Sequence, residues 1–420
     1  MHILFITENF PPEVNAAATR VYERACYWVE GGHQVTVLTC FPNFPQGKLY
    51  EGYKQRLYQV DSMDGMRVVR LPTYIARNEG FMRRTLDFVS FMMSAVVAAP
   101  FQPRPDVVVA TSPQFFSAVG GWLVSRLRRR PFVFELSDLW PASIAAVGAL
   151  DKGWLLRMVE RLELFLYRQS ASVVALTQPF KDNLVSRGIP AGKIAVVING
   201  VDLRRYEPRP RNAALAQKLG LSGRFVLGYI GTHGMAHALE NIAHAAARLR
   251  HRKDIAFLLV GDGAARQSVV DLVAREQLDN VVLVPAQPKA RMPEYWSLCD
   301  VALIHLKNDP VFADVIPSKI FEAMAMGLPL LAVCPQGEAT RIVASCEAGW
   351  VIPPEVPDAL ADIAVALCAD RARVQRAASR SLASAPRFSR QRQADDMLAV
   401  LEAVVEGNGS RASEALSNPE

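Results

Sequence analysis

No C-x-x-C pair occurs in this 420-residue chain, and its six cysteines, Cys26, Cys40, Cys299, Cys334, Cys346 and Cys368, follow no regular spacing. That excludes the disulfide frame of a small secreted scaffold and leaves reduced core thiols. The opening MHILFITENF lacks a basic stretch followed by a long apolar one, so no secretory signal is expected and the chain is read as cytosolic. Also missing is an apolar run of the roughly 20 residues that a spanning helix requires. The nearest approach, LDFVSFMMSAVVAAPF from Leu86 to Phe101, carries Asp87, follows Arg83-Arg84 and is closed by Pro100 and Pro103. Two readings of it stand, a helix buried in an α/β domain or a helix docked on a bilayer with its arginines at anionic headgroups; neither spans. Net charge is scarce too: +6 over the whole chain does not mark a nucleic-acid partner unless the basic residues cluster. They cluster at Arg83-Arg84 and Arg126 to Arg130, in the first half. No short-period repeat appears, which excludes a solenoid.

What is present is an alternation of short apolar runs with amphipathic stretches, the pattern of a parallel sheet with crossover helices. HILFITENF, HQVTVLTC, VVRLPTY, DVVVATS, PFVFELSDLW and SVVALTQ read as strands, each ending in small or polar residues. The helix TRVYERACYWVEGG between the first two is stopped by Gly31-Gly32. After the Pro/Arg-rich YEPRPRNAAL, Tyr206 to Leu215, the rhythm restarts with RFVLGYIGTHG, IAFLLVGDG, NVVLVPAQ, DVALIHL, LPLLAVCPQG and GWVIPP. At 50% hydrophobic residues the chain exceeds the roughly 250–300 residues at which single cores stop growing. Two doubly wound domains in tandem are therefore expected, with ligands outside the carboxyl ends of their strands.

Two constellations carry chemistry. GYIGTHGMAHALENIAHAAARL places Gly228, Gly231 and Gly234 between a strand and a helix, where backbone amides can approach a diphosphate; tight packing alone would also explain such a turn. His233 and His237 form H-x-x-x-H without the glutamate of a zinc protease, so no metal site is expected there. The second constellation is IPSKIFEAMAMGLPLL, Ile316 to Leu331, in which Lys319 and Glu322 stand three apart in an apolar run. An ion that close to a core must be partnered or neutralised. Pro317 and Ser318 precede a helix beginning near Lys319, so its ammonium and the free amides would meet an anion, with Glu322 one turn on accepting two hydroxyl hydrogen bonds. A ligand with phosphates and an adjacent diol fits both, and a capped helix with a snorkelling lysine is the alternative.

The spacing of Asp314 and Glu322 resembles the E-x7-E motif of retaining GT-B glycosyltransferases of family 4. VIPSKIFEAMAMGLPLL is very similar to bacterial members that build O-antigen and capsule, of the L-fucosamine transferase type. ENFPPEVNAAATR with GGHQVTVLT, SDLWP at Ser137 to Pro141, VINGVD at Val197 to Asp202, GYIGTHG, VGDG at Val260 to Gly263 and PQGEAT at Pro335 to Thr340 fall in the family's order, over nearly the whole chain.

The resemblance implies an α/β fold of the GT-B kind, two doubly wound Rossmann-like domains facing a central cleft. Its expected parts are an acceptor-side domain over 1–205, a nucleotide-sugar domain over 206–385, a helix over 386–407 crossing back to the first domain and a flexible tail over 408–420. Glu322 would bind the donor ribose and the amides of Pro317, Ser318, Lys319 and Ile320 the diphosphate. Asp314 takes the place of the first motif glutamate, one carbon shorter, facing the donor sugar. Gly231, Thr232, His233, Gly234 and Gly261 would approach the phosphates, and Asn15 and Ala16 in the Asn15 to Thr19 loop would border acceptor and donor phosphate. Asp138 falls near the anomeric centre.

Many relatives carry an Arg and a Lys just after the glycine turn, whereas MAHALEN offers neither, so Lys319 and Lys307 would supply the positive charge. No D-x-D occurs, so a metal held as in the other major glycosyltransferase fold is not expected. The activity implied is retaining transfer of a sugar, an N-acetylated deoxyhexosamine, from a UDP-sugar to a polyprenyl-diphosphate-linked saccharide. No cofactor beyond that nucleotide-sugar co-substrate and no nucleic acid are expected, and the protein would sit on the anionic cytoplasmic face of the inner membrane. A nucleotide-sugar epimerase of the same fold and a non-catalytic donor-binding scaffold are the rival readings; oligomeric state stays open.

Overall fold

The computed structural model describes residues 1–44, 46–75, 81–112, 115–139 and 153–407. Trp140 and Pro141 of SDLWP, and the expected 408–420 tail, lie outside them. The chain divides into two units, one of 1–199 with 390–420 and one of 200–389.

In the first unit the order is β1 (His2–Ile6), α1 (Ala16–Glu30), β2 (Gln34–Cys40), β3 (Gln59–Met63), β4 (Met66–Leu71), α2 (Phe81–Ala98), β5 (Val107–Thr111), α3 (Phe115–Arg128), β6 (Phe132–Leu136), α4 (Trp154–Gln169), β7 (Ser172–Ala175), α5 (Gln178–Ser186) and β8 (Ile194–Val196). The strands lie in the order β3-β4-β2-β1-β5-β6-β7-β8. Among the described residues only the β3–β4 pair is antiparallel. Strands such as HILFI and VVVAT are buried throughout because helices cover both faces of the sheet. QVDSM in β3 alternates between half-buried and exposed side chains, as an edge strand does.

One face of this sheet packs against α2 through α5, with Phe91, Ala95, Phe115, Leu166 and Leu184 in the shared core. By length and composition alone Arg83–Phe101 could cross a bilayer. Its Phe91, Ala95 and Ala98 are nevertheless buried in that core, and Asp87 accepts a 2.6 Å hydrogen bond from the Thr73 hydroxyl, so α2 is a layer of the domain. Its outer side exposes Leu86, Met93 and Val97.

The opposite face packs α1 with the last helix, Arg390–Val405, through Val21, Ala25, Trp28, Met397 and Leu401. Trp28 donates to Ala394 O at 2.9 Å. A buried ion network joins α1 to β6: Arg24 binds Glu135 with both guanidinium nitrogens at 2.8 and 2.9 Å, and Arg20 Nε stands 3.3 Å from the same carboxylate. Burial would push the Glu135 carboxyl up, but Arg24 and Arg20 outweigh it and hold the group at about 2.

The second unit runs α6 (Ala213–Lys218), β9 (Phe225–Ile230), α7 (Glu240–Arg248), β10 (Ile255–Val260), α8 (Arg266–Arg275), β11 (Val281–Val284), α9 (Met292–Trp296), β12 (Val301–His305), α10 (Lys319–Ala325), β13 (Leu330–Val333), α11 (Glu338–Ser345), β14 (Gly349–Ile352), α12 (Pro357–Ala369) and α13 (Arg371–Ser384); the helix at Arg390–Val405 is α14. Its six parallel strands take the order β11-β10-β9-β12-β13-β14. The order reverses between β9 and β12, and such a switch point opens a crevice beyond the strand ends.

The Pro/Arg-rich 206–215 stretch is part of the second unit. Tyr206 is buried, and Arg211 donates to Leu221 O and Arg224 O and pairs with Asp300. The actual crossings, at 199–200 and 389–390, lie side by side. Val201 bridges Ser389 in parallel, its N–H donating to Phe388 O at 2.9 Å, and Arg390 donates to Asn199 Oδ1 at 2.6 Å.

Candidate functional site

Two glycine turns nest at the carboxyl ends of β9 and β10. Gly231 and Gly261 have φ of 144° and 151°, and a Cβ on Gly261 would stand 1.8 Å from Gly231 O, so the backbones touch where no side chain fits. The His233 N–H donates to Asp262 O at 2.9 Å and the Ala265 N–H to His233 O at 2.8 Å, locking one turn onto the other. Across the switch point the Lys307 N–H donates to Ala236 O at 2.8 Å, tying the loop after β12 to the turn after β9. Thr232 is exposed and Gly234 opens a short 3-10 turn, Met235–His237.

Lys319, the first residue of α10, comes to the same place. Its ammonium lies 3.7 Å from the ring centroid of Tyr229, and a Cβ on Gly231 would meet its Cε at 3.0 Å and its Nζ at 3.2 Å. The glycine thus leaves room for the charge at the turn. Among the described residues no carboxylate pairs with this ammonium; burial lowers its pKa from 10.5 to about 7, and Glu322 opposes the shift from one helical turn away. The Glu322 carboxyl is itself pushed up by burial, against Lys289, the Trp296 and Tyr206 side-chain donors and Lys319. Lys319 and Glu322 therefore favour each other's charged forms across one helical turn without forming an ion pair.

Three imidazoles complete the polar lining. Burial, with Arg266 and Lys319 beside it, lowers His233 to about 4, and among the described residues neither of its buried ring nitrogens has a hydrogen-bond partner. His237 falls to about 4 through burial and Lys319, and its Nδ1 meets His305 O at 3.2 Å. Burial takes His305 to about 3. All three are neutral at neutral pH, so the groups that can carry positive charge here are Arg266 and Lys319, the latter with its pKa pushed down to about 7. Arg266 Nη1 donates to Gly261 O at 2.9 Å and Val284 O at 3.3 Å, which fixes the guanidinium beside the second glycine turn. Among the described residues no three His, Cys, Asp or Glu side chains form a metal-ligand group.

The remaining expected residues are placed as follows. Lys307 has an exposed side chain and joins the site through its backbone. Asp314 is half-buried at the end of the turn Pro310–Asp314, and the neighbouring Ala313 carbonyl packs against Gly337 so closely that a Cβ there would stand 1.9 Å from it. Ser318 is exposed, Pro317 accepts from the Ile320 N–H at 3.1 Å, and Ile320 is buried. Asn15, Ala16 and Asp138 belong to the first unit. Asn15 Oδ1 caps α1 by accepting from the Ala18 N–H at 2.8 Å, Ala16 is exposed on the first turn, and Asp138 is half-buried just beyond β6. Sequence reasoning missed Tyr229 and Arg266, together with Tyr206, Lys289 and Trp296 around Glu322; an arginine soon after G-D-G was the one visible signal.

Two doubly wound α/β units, one with a glycine turn and a buried cation at its switch point, define the GT-B class of Rossmann-like two-domain proteins. Residues 15–200 match the family model of the glycosyl transferase 4-like domain and residues 224–370 that of glycosyl transferases group 1, so the chain is a glycosyltransferase made of these two domains. WcaI of Escherichia coli (strain K12), whose name places it in colanic acid biosynthesis, is 25% identical over 336 residues, 78% of this chain and 82% of WcaI. A GDP-mannose-dependent alpha-mannosyltransferase of Mycobacterium tuberculosis is 24% identical over 91% of this chain and 92% of its own length. Among solved structures, Anabaena HepE in complex with UDP and glucose shares the fold, with a TM-score of 0.72 at 20% identity over 96% of this chain and 100% of that one.

Proposed function

We propose that this glycosyltransferase moves a sugar, an N-acetylated deoxyhexosamine, from UDP to a polyprenyl-diphosphate-linked saccharide during surface polysaccharide synthesis, with retention at the anomeric carbon. One observation carries the reading: a buried ammonium, Lys319, stands at a glycine turn with no carboxylate among the described residues pairing it. When the bond between the anomeric carbon and the diphosphate oxygen breaks, negative charge grows on the diphosphate before the acceptor bond is complete. A cation fixed at those oxygens lowers the barrier. Arg266, held by Gly261 O, supplies the second charge where MAHALEN has none. Glu322, among the Tyr206 and Trp296 donors, would accept from the ribose hydroxyls; Asp314 would face the donor sugar and Asp138 the anomeric centre. The UDP complex of HepE and the colanic acid assignment of WcaI support the donor and the pathway class.

The test is a donor screen with purified protein and polyprenyl-diphosphate-GlcNAc, reading nucleoside diphosphate and lipid product by mass. A lipid-linked disaccharide of retained configuration from one UDP-sugar is the expected result. An epimerised sugar nucleotide without acceptor, or binding without turnover, would replace the proposal by an epimerase or a scaffold.

A lipid-linked acceptor places the enzyme at a membrane. The exposed Leu86, Met93 and Val97 of α2, with exposed Arg83 and Arg84 on α2, Arg126 on α3 and Arg129 just after it, suit an anionic bilayer surface. The protein is expected to float with liposomes containing anionic lipid at low salt and to be released as salt screens the arginines. A protein left at the bottom of the gradient at low salt would remove the membrane from this account.

A further inference from the structure

We infer that Tyr229 is a positioning residue for the diphosphate cation, its ring holding the Lys319 ammonium at the glycine turn while its hydroxyl fastens that turn. The inference rests on Lys319 meeting the donor diphosphate. Tyr229 is fully buried near the end of β9 and reaches in two directions at once. Its hydroxyl donates to Thr232 O at 2.7 Å, inside the turn that runs from Gly231 to Gly234. The Lys319 Nζ lies 3.7 Å from its ring centroid.

The chemistry of that choice follows from what a buried ammonium needs. A carboxylate would compensate its desolvation but would also neutralise it and compete with an incoming phosphate. A ring face offers attraction without a proton acceptor, so the N–H donors stay available for the ligand. The groups around Lys319 agree with such a design. Glu322 on α10 forms no ion pair with it, and His233 and His237, whose rings lie 5.9 and 5.8 Å from Tyr229, are neutral at neutral pH. His305 on β12 is neutral as well, while Arg266 on α8 and Asp262 face His233, the first disfavouring and the second favouring its charged form. Glu322 favours the charged form of Lys319 from one turn away, and the ring favours it at contact distance, 3.7 Å, without capturing it.

The experiment follows the Lys319 Cε resonance against pH in full-length protein carrying 13C-labelled lysine, assigned with Lys319→Arg, for wild type, Tyr229→Phe and Tyr229→Leu. Tyr229→Phe is expected to titrate within a few tenths of a unit of wild type. Tyr229→Leu is expected to titrate about one unit lower, the tenfold change in proton affinity that loss of a desolvated cation–π contact implies. Fluorinated phenylalanines at position 229 keep the shape and weaken the ring face, so the midpoint should fall stepwise with fluorine number even if the leucine variant does not fold. An unchanged midpoint along that series overturns the inference.

Calorimetric titration with UDP, GDP and dTDP as probes supplies the second arm. Tyr229→Leu is expected to weaken the nucleotide that binds wild type by roughly tenfold near pH 7.5, by the same proportion, with a smaller deficit as pH falls. Wild type that binds none of the three, while its Lys319 midpoint follows the ring, would overturn the donor reading and the positioning role together. An affinity unaffected by a shifted midpoint would overturn the positioning role alone.

Discussion

Lys319→Met is expected to lower the transfer rate by about a hundred- to a thousandfold, the loss typical of one preorganised group facing an oxyanion, while making the second unit more stable. The two effects have one cause. Burial lowers the Lys319 pKa from 10.5 to about 7, so between those values the unfolded chain binds a proton that the folded unit does not. Stability contributed by this group therefore rises with pH across that window, and below about 7 the folded unit carries the full burden of a buried ammonium. The shift corresponds to an order of roughly 4–5 kcal/mol. Methionine fills the same space without the charge, so urea unfolding near pH 6 should show a higher midpoint for the variant, with the gap narrowing toward pH 10. In the wild type the ammonium is lost as pH rises through about 7, and the rate limb that depends on it should fall there. A variant that is inactive and less stable would mean that the lysine holds the fold rather than the diphosphate.

Arg24→Met in the first unit is expected to cost about 3–5 kcal/mol, because it leaves Glu135 ionised in a fully buried place with a single remaining cation. Arg20, at 3.3 Å through Nε, cannot reproduce the two-nitrogen bond that Arg24 makes to both carboxylate oxygens. The pH dependence is specific. With its carboxyl held at about 2 against an ordinary 4.5, Glu135 contributes stability that is fully present above the ordinary value and is lost as pH falls toward 2. The deficit of Arg24→Met should accordingly be largest at neutral pH and shrink below about pH 4.5, where the orphaned acid takes up a proton. Replacing Glu135 by glutamine in the same variant should restore part of the loss. Urea midpoints at pH 7 and pH 4 for the two variants give the measurement, and equal deficits at both would show that packing of the Arg24 stem, not charge, was removed.

Much of the fold is legible in the sequence because parallel strands covered on both faces must be apolar throughout. FVLGYI and IAFLLV announce themselves as runs bounded by glycine. QVDSM does not, since an edge strand exposes alternate side chains and its polar residues read as loop. The 206–215 stretch hides its packing for a different reason: its prolines and arginines have a solvated composition, yet Arg211 turns its donors on backbone carbonyls of its own unit. At the site, the glycines and Lys319 could be picked out separately, because each breaks the pattern around it. Their meeting could not, and neither could the role of Tyr229, which is one more large residue in an apolar strand. Arg266 and the donors around Glu322 come from elements far apart in the chain, so only the folded backbone assembles them.

The paired crossings at 199–200 and 389–390 have a consequence for how such enzymes can be rebuilt. Topologically, the second unit is an insertion into the first, entering and leaving through neighbouring segments bridged at Val201 and Ser389, with Asn199 and Arg390 in contact within the first unit. A cassette cut at these two points can be exchanged for another without moving either free end of the recipient, whose last helix stays packed beside Trp28. Closing the gap with a short glycine-containing loop would yield the recipient half as a separate chain. Diversification of one half by recombination thus needs only two breakpoints lying within a few ångströms of each other in the folded molecule.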